Sequence, residues 1–246
     1  MSSAGDRFVS LSSELAASAA AAGRNPDDVR LVCVSKTATI EDVRDAFAAG
    51  ARVFGENRIE SLMPKRAALP EARWHFIGNI QARKIPEIVA NADLIHSVWR
   101  EDQLGRLDRF AEKCGKIQEI LIEVNAAGEA SKDGLAPEEV PAFLAACEAC
   151  PHLRVRGLMT MAPQGDPEAD AKAFARLAEL KDQLVEERPE RASTLTELSM
   201  GMSEDWQLAV AAGSTMVRLG RAIFSESFAE MPDGKDLSVV NAVTGR

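Results

Sequence analysis

The sequence predicts an α/β protein in which eight parallel strands close into a single (β/α)8 barrel. Three observations support this fold class. Apolar, strand-like runs alternate along the chain with amphipathic, helix-like segments. Strict alternation of this kind is typical of a parallel sheet, and a count of eight strands indicates closure into a barrel. A doubly wound sheet is the alternative, but its usual phosphate-binding patterns, G-x-G-x-x-G and G-x-x-x-x-G-K-[ST], do not occur in the sequence.

The predicted strands are short apolar runs that end at or near a polar residue or a glycine. In chain order they are "VRLVCVS" at 29–35, "RVFG" at 52–55, "RWHFIG" at 73–78, "LIHSV" at 94–98, "IQEILIEVN" at 117–125, "VRGLMTM" at 155–161, "LTELSM" at 195–200 and "TMVRLG" at 215–220. Helical patterns fill the intervals, at 39–49, 57–68, 81–91, 100–114, 137–149, 168–187 and 203–213.

Two further features complete the predicted organisation. Thr39 is a suitable N-cap for the helix that follows the first strand. An extra N-terminal helix precedes the barrel, in which Phe8, Leu11 and Leu15 recur at helical spacing. Because no Gly-, Pro- or Ser-rich linker interrupts the series, residues 1–246 are predicted to form one domain.

Composition and charge limit the function classes. Hydrophobic residues make up 46% of the chain and charged residues 27%, which is ordinary for a soluble globular protein. A net charge of −9 argues against general affinity for nucleic acid or for anionic membranes. The N-terminus lacks the basic and apolar regions of a signal peptide, and no apolar run is long enough to span a bilayer. We therefore expect a cytoplasmic, monomeric protein that binds neither nucleic acid nor membrane.

The cysteines do not predict a metal or redox site. Cys147 and Cys150 form a C-x-x-C pair, but the pair lies late in a predicted helix. A structural zinc site needs a second pair of ligands, and a thioredoxin-type pair begins a helix after a strand. Neither condition is met, so reduced thiols on a helix are the prediction.

Polar residues collect at the C-terminal ends of the predicted strands, where the active sites of (β/α)8 barrels lie. Singly, each is better explained as a cap or turn residue, whereas the whole set indicates a functional rim. These residues are Lys36, Asn57, His75, Asn79, His96, Ser97, Asn125, Thr160, Ser199, Ser203 and Arg218.

Lys36 is the most informative residue of this rim. Lysine is rarely buried, yet Lys36 shares the strand parity of Val32 and Val34 and is predicted to point to the same face. Either its side chain extends to solvent at the end of the strand, or it is held there for its amine.

The ends of the seventh and eighth strands predict an anion site. Barrels often bind phosphate through the loops after these strands and a nearby helix N-terminus. Here Met200 opens a glycine-containing turn, and Ser203 is a suitable N-cap for the next helix. Gly220 allows backbone N–H groups to approach an anion, and Arg221 follows it directly.

Arg218 shares parity with Met216 and Gly220 and is therefore predicted to face the barrel interior. A buried guanidinium needs an acceptor. A heterocyclic nitrogen, kept unprotonated by the neighbouring cation, would serve. The alternative is that Arg218 pairs with a carboxylate such as Glu197 inside the barrel. Together, the amine, the phosphate cradle and the inward arginine suggest pyridoxal 5′-phosphate (PLP) on Lys36.

The chain resembles the pyridoxal phosphate homeostasis protein family, whose fold is related to the barrel domain of alanine racemase. The similarity covers about residues 5–228 in the order of the family. It is carried by the segments "LVCVSKT", "FGENRIES", "WHFIGNIQARK", "HSVW", "VNAAGEASKDGL", "VRGLMTMAP" and "LSMGMSEDWQLAVAAGSTMVRLGRAIF".

The resemblance implies roles for individual residues. It implies that Lys36 is the Schiff-base lysine, that Asn57 and His75 lie near the cofactor, and that Arg218 faces its pyridine nitrogen. The residues implied around the phosphate are Ser199, Met200, Ser203, Gly220 and Arg221. It also implies a protein without a settled catalytic activity, which carries or buffers PLP and has PLP-dependent apo-enzymes as possible partners.

Three positions depart from the pattern of the family. Arg221 stands where many members have Thr or Ser, so that a charge-assisted contact would replace a hydroxyl–phosphate bond. Ser225 replaces the usual glycine, and Arg58 follows "FGEN" where others often have tyrosine. None of these changes involves the lysine.

Two rival functions and one rival amine remain open. A PLP-dependent racemase needs an acid and a base on opposite faces of the substrate, but the chain contains no tyrosine, and the stretch after Gly220 is too short for a second β-domain. His75 and His96 could supply a second base, although we expect at least one of them to be a packed or cofactor-stacking residue. A cofactor-free Schiff-base aldolase would need a sugar phosphate in the cradle. Lys132, in "SKDG", is the competing amine, with a solvated loop lysine as its other interpretation.

Overall fold

The computed structural model describes residues 2–129, 132–163 and 165–225. The predicted single-domain extent therefore includes a C-terminal stretch, residues 226–246, that lies outside the described residues. Among the helices that are described, none is long and apolar enough to cross a bilayer.

Eight parallel strands form a closed barrel in sequence order, which confirms the predicted fold class. Each strand pairs with its neighbours along the chain, and β8 closes the barrel by pairing with β1. The strands are β1 Arg30–Val34, β2 Val53–Glu56, β3 Arg73–Phe76, β4 Leu94–Val98, β5 Gln118–Glu123, β6 Leu153–Met159, β7 Glu197–Ser199 and β8 Met216–Leu219.

Helices lie between the strands and cover the outside of the barrel. The helices are α1 Ala4–Ala21, α2 Ile40–Ala48, α3 Ile59–Ala68, α4 Ile85–Asn91, α5 Glu101–Lys113, α6 Val140–Glu148, α7 Pro167–Glu187, α8 Trp206–Ala211 and α9 Arg221–Phe224. Short 3-10 turns occur at Pro26–Asp28, Ala82–Lys84, Pro137–Glu139 and Pro189–Ser193. The extra N-terminal helix is present as α1, which packs against α2, α8 and α9.

Local sequence accounts for where several elements begin and end. Thr39 caps α2 as predicted, and its side chain and that of Asp42 satisfy each other's backbone N–H groups in a capping box. The third strand ends at Phe76, two residues earlier than predicted, because the chain at Gly78 passes against β2. A Cβ atom added at Gly78 would lie 2.1 Å from the carbonyl oxygen of Asn57.

The predicted N-cap Ser203 is wrong. Helix α8 begins at Trp206, with Asp205 at the N-cap position. Asp205 uses its side chain to accept a hydrogen bond from the backbone N–H of Met202, at 2.5 Å. The turn after β7 therefore extends further than the sequence pattern indicates, and Ser203 lies inside it.

The apolar core has two parts. The larger part lies between the strands and the helices, as expected for strands buried on both faces. A smaller cluster comes from five strands and fills the barrel interior: Val32, Leu94, Leu121, Met159 and Met216. This cluster separates the two mouths of the barrel, so the side chains at the C-terminal mouth form a site of their own.

Candidate functional site

Lys36 lies at the C-terminal mouth, just beyond β1. The strand ends at Val34, so Lys36 occupies the turn that follows, and strand parity does not extend to it. Its side chain is exposed and has no hydrogen bond or ion pair within the described ranges of the chain. Position and exposure leave the amine available for a ligand.

A buried ion pair supports the turn that carries Lys36. Lys65, from α3, donates hydrogen bonds to the Ser35 carbonyl oxygen and to Glu56 Oε1, both at 2.6 Å. The Ser35 hydroxyl donates to the same Glu56 oxygen at 2.7 Å. Glu56 is fully buried and Lys65 is 5% exposed. The peptide that precedes Lys36 is thus fixed to both β2 and α3.

The sequence reading missed this pair. The available signal was Glu56, a carboxylate at the end of the second strand with the outward parity of the core residue Phe54. A charge on the helix-facing side needs a buried partner, and Lys65 lies on the next helix. A single sequence does not show which basic side chain pairs with Glu56.

Arg218 lies inside the barrel, as its parity predicts, and is 5% exposed. It donates hydrogen bonds to Ser199 O at 2.9 Å, to Ser199 Oγ at 2.7 Å and to Thr160 O at 3.0 Å. Its predicted alternative partner, Glu197, instead forms an ion pair with Arg30. Burial lowers the pKa of Arg218 to about 10, which still leaves the group charged at neutral pH.

His75 and His96 form a buried chain below the mouth. His75 Nδ1 lies 2.9 Å from His96 Nε2, and His96 Nδ1 lies 2.9 Å from Ser199 Oγ. Burial lowers the pKa of His75 to about 3 and holds that of His96 well below its ordinary range, so both rings are neutral. The expectation that at least one of these histidines is packed is confirmed for both.

The turn after β7 and the end of β8 lie side by side. The backbone N–H of Arg218 donates to Gly201 O at 2.9 Å, which joins the two segments. Gly201 has φ of +96°, and a Cβ atom there would lie 2.7 Å from the Ala209 Cβ. Gly220 approaches β1, where an added Cβ would lie 2.9 Å from Val34 O. These close approaches pack the turn after β7 and the end of β8 tightly against their neighbours, with Gly220 beside the end of β1.

The other predicted site residues differ in their surroundings. Met200 is fully buried and Ser203 is 4% exposed, whereas Asn57 is exposed at the end of β2. Arg221 is exposed and forms an ion pair with Glu204 at 2.7 Å, so its charge is already matched on the surface. The residues from β7, β8, β1 and β2 share one mouth, while His75 lies deeper, in the barrel interior.

Two more residues of the mouth affect its chemistry. Lys132, the competing amine, donates to Ala162 O at 2.7 Å and is therefore engaged where Lys36 is not. Glu123, which the sequence reading missed, ends β5 and is 5% exposed. Burial, with the nearby charge of Asp133, raises the pKa of Glu123 to about 7. In the described part of the chain, no group of His, Cys, Asp and Glu residues could hold a metal ion.

Comparison with known proteins identifies the family. The model of the alanine racemase N-terminal domain matches residues 13–227. The pyridoxal phosphate homeostasis protein of Pseudomonas aeruginosa is 40% identical over 227 residues, which cover 91% of this chain and 96% of the relative. The chain belongs to the pyridoxal phosphate homeostasis protein family.

Further members of the family agree with this assignment. The pyridoxal phosphate homeostasis protein of Aquifex aeolicus is 36% identical over 208 residues, or 83% of this chain and 90% of the relative. The structure of PipY from Synechococcus elongatus with PLP bound has a TM-score of 0.79 and is 35% identical; the match covers 90% of this chain and all of that one, at 100%. The same barrel therefore recurs along the length of a relative that was solved with PLP.

Proposed function

We propose that this protein binds PLP at the C-terminal mouth of its barrel, covalently through Lys36, and acts as a carrier or buffer of the cofactor. The observation that carries the proposal is the contrast between two amines. Lys36 is exposed and unengaged at the mouth, whereas Lys132 is held by a backbone carbonyl. When bound, PLP would supply an aldehyde that reacts with a primary amine.

The residues around the mouth fit the other parts of this cofactor. Arg218 presents a cation whose hydrogen bonds are to a hydroxyl and two carbonyl oxygens, with no ion-pair partner in the described residues. Gly220, which is partly exposed, would let backbone approach a phosphate, with Ser203 in the adjoining turn, while the Ser199 hydroxyl holds Arg218 in place. Support also comes from the PLP-bound structure of PipY.

Carriage rather than turnover is the activity we propose. A racemase needs a second acid or base opposite the lysine, and the chain has no tyrosine. The two candidate histidines are buried, neutral and hydrogen-bonded to each other, and His75 also lines the cavity at the N-terminal mouth, so neither is poised to take a proton from a substrate. The protein would act as a cytoplasmic monomer and have PLP-dependent apo-enzymes as partners.

The test combines cofactor transfer with proton exchange. PLP-loaded protein is mixed with an apo-enzyme, and recovery of that enzyme's activity is followed while free PLP is trapped. In parallel, loss of Cα deuterium from alanine and serine is followed by NMR for wild type and His75→Ala. Transfer without exchange is expected. Fast exchange in wild type that the substitution abolishes would make the protein an enzyme and overturn the proposal.

A further inference from the structure

Glu123 occupies a position at the mouth to which the proposed function assigns no role. Along β5, Glu119 lines the opposite mouth and Leu121 belongs to the interior cluster, so alternation directs Glu123 into the barrel at its C-terminal end. Its backbone is fixed, since its carbonyl accepts a hydrogen bond from Leu135 N at 3.0 Å. The residue is only 5% exposed, yet its carboxyl group has no hydrogen bond or ion pair in the part of the chain that the structure describes.

The charged groups that act on Glu123 come from two directions. Arg218, on β8, stabilises its ionised form, and Asp133, in the loop after β5, destabilises it. On the neighbouring strand β4, His96 is neutral. On the other neighbour, β6, Met159 lies opposite Glu123 and carries no charge. Burial is the largest influence, and the resulting pKa of about 7 means that Glu123 changes charge near neutrality.

We propose that Glu123 is an ionisable control residue of the cofactor site, which favours an anionic ligand when protonated and opposes it when ionised. The inference rests on the proposed function, because it takes the phosphate-bearing cofactor as the ligand. An ionised Glu123 would compete with that ligand for Arg218 and repel its negative charge across a site with little solvent. A protonated Glu123 would do neither, so a fall in pH would favour loading and a rise would favour release.

The size of the effect follows from linkage. If the bound anion raises the pKa of Glu123 by about one unit, affinity falls by up to about tenfold as pH rises through neutrality. PLP itself also titrates in this range, but it does so with every variant. The ratio of dissociation constants between wild type and Glu123→Gln therefore isolates the contribution of Glu123.

The experiment measures PLP dissociation constants from pH 6 to pH 8.5 for wild type, Glu123→Gln and Glu119→Gln. The last is a matched control, because Glu119 lies on the same face of the same strand at the other mouth. The ratio of wild type to Glu123→Gln is expected to rise from about one to about ten across the range, while Glu119→Gln follows wild type. A ratio that stays constant would overturn the inference and leave PLP binding intact, whereas absence of PLP binding in wild type would overturn the proposed function as well.

A measurement on wild type alone covers the case in which Glu123→Gln does not fold. The carboxyl carbon of Glu123 is titrated by NMR, first in the free protein and then with saturating PLP. Its pKa is expected to rise when PLP binds. An unchanged or lowered pKa would contradict the control role.

Discussion

At the N-terminal mouth of the barrel, arginines pair with glutamates, whereas at the C-terminal mouth Arg218, Lys36 and Glu123 form no ion pair within the described residues. The N-terminal pairs join Arg30 to Glu197, Arg73 to Glu119 at 3.3 Å, and Arg156 to the same Glu119 at 3.5 Å. They surround a cavity of about 130 Å³. Each of these charged side chains therefore has a partner of opposite sign.

The C-terminal mouth also contains basic and acidic side chains, but three of them form no ion pair in the described part of the chain. Arg218 is hydrogen-bonded to Ser199 and Thr160 but forms no ion pair, and Lys36 and Glu123 have no partner, in each case within the described residues. A buried charge without a counter-ion destabilises a fold. Two buried ionisable groups without an ion pair among the described residues, Arg218 and Glu123, occur at one mouth only, and a site for a charged ligand requires such groups. The difference between the mouths thus locates the site independently of the family resemblance.

The largest effect is expected from the buried pair that supports Lys36. Lys65→Met removes the cation and leaves Glu56 in the core without its partner, which should lower the free energy of unfolding by about 3–5 kcal/mol. Chemical denaturation of the free protein measures it. Lys172→Met, in the exposed pair with Glu168, serves as control and should change nothing measurable. Similar, small losses in both variants would show that the Lys65–Glu56 pair does not fix the turn.

A smaller effect, on binding, directly tests the contrast between the mouths. Arg218→Met removes a charge proposed to contact the ligand and should weaken PLP binding about 10- to 100-fold, as loss of a charged hydrogen bond does. Arg156→Met, at the opposite mouth, should leave PLP affinity unchanged. Thermal unfolding of both variants checks that they fold. If the two substitutions weakened binding equally, the contrast between the mouths would have no functional meaning.

The smallest effect concerns the stability of the free protein as a function of pH. The folded-state pKa of Glu123, about 7, exceeds its ordinary value of 4.5. The contribution of Glu123 to the free energy of unfolding is therefore fully present below about pH 4.5 and is lost as pH rises through about 7. The stability advantage of Glu123→Gln over wild type should be roughly 2 kcal/mol larger at pH 8 than at pH 5. Equal stability of the two proteins at both pH values would show that Glu123 ionises as an ordinary surface carboxylate.

The fold was predictable from sequence because strand and helix patterns are local and alternate without interruption. The rim residues were predictable to the extent that they lie near the C-terminal ends of strands, as Lys36 and Arg218 do. Asn125 was predicted as a rim residue because it ends the fifth predicted strand. Its side chain instead accepts hydrogen bonds from the backbone N–H groups of Gly128 and Glu129 and so shapes the loop. Glu123, two residues earlier, carries the unpaired charge.

What the sequence did not reveal depends on contacts between distant segments. Ser203 looked like an N-cap because Ser is favoured there, but the helix begins only after Asp205, whose side chain accepts from Met202 N within the preceding turn. The Lys65–Glu56 pair joins a helix to a strand. Likewise, the hydrogen bond between His75 and His96 joins two strands, and no pattern within one strand indicates it.

The most direct test of the account is the identity of the lysine that carries the cofactor. PLP-loaded wild-type protein is reduced with borohydride and digested, and the modified peptide is located by mass spectrometry. The unengaged amine at the C-terminal mouth predicts the adduct on Lys36, with none after Lys36→Ala. An adduct on Lys132 alone would contradict the account, because that amine is already hydrogen-bonded to Ala162 O.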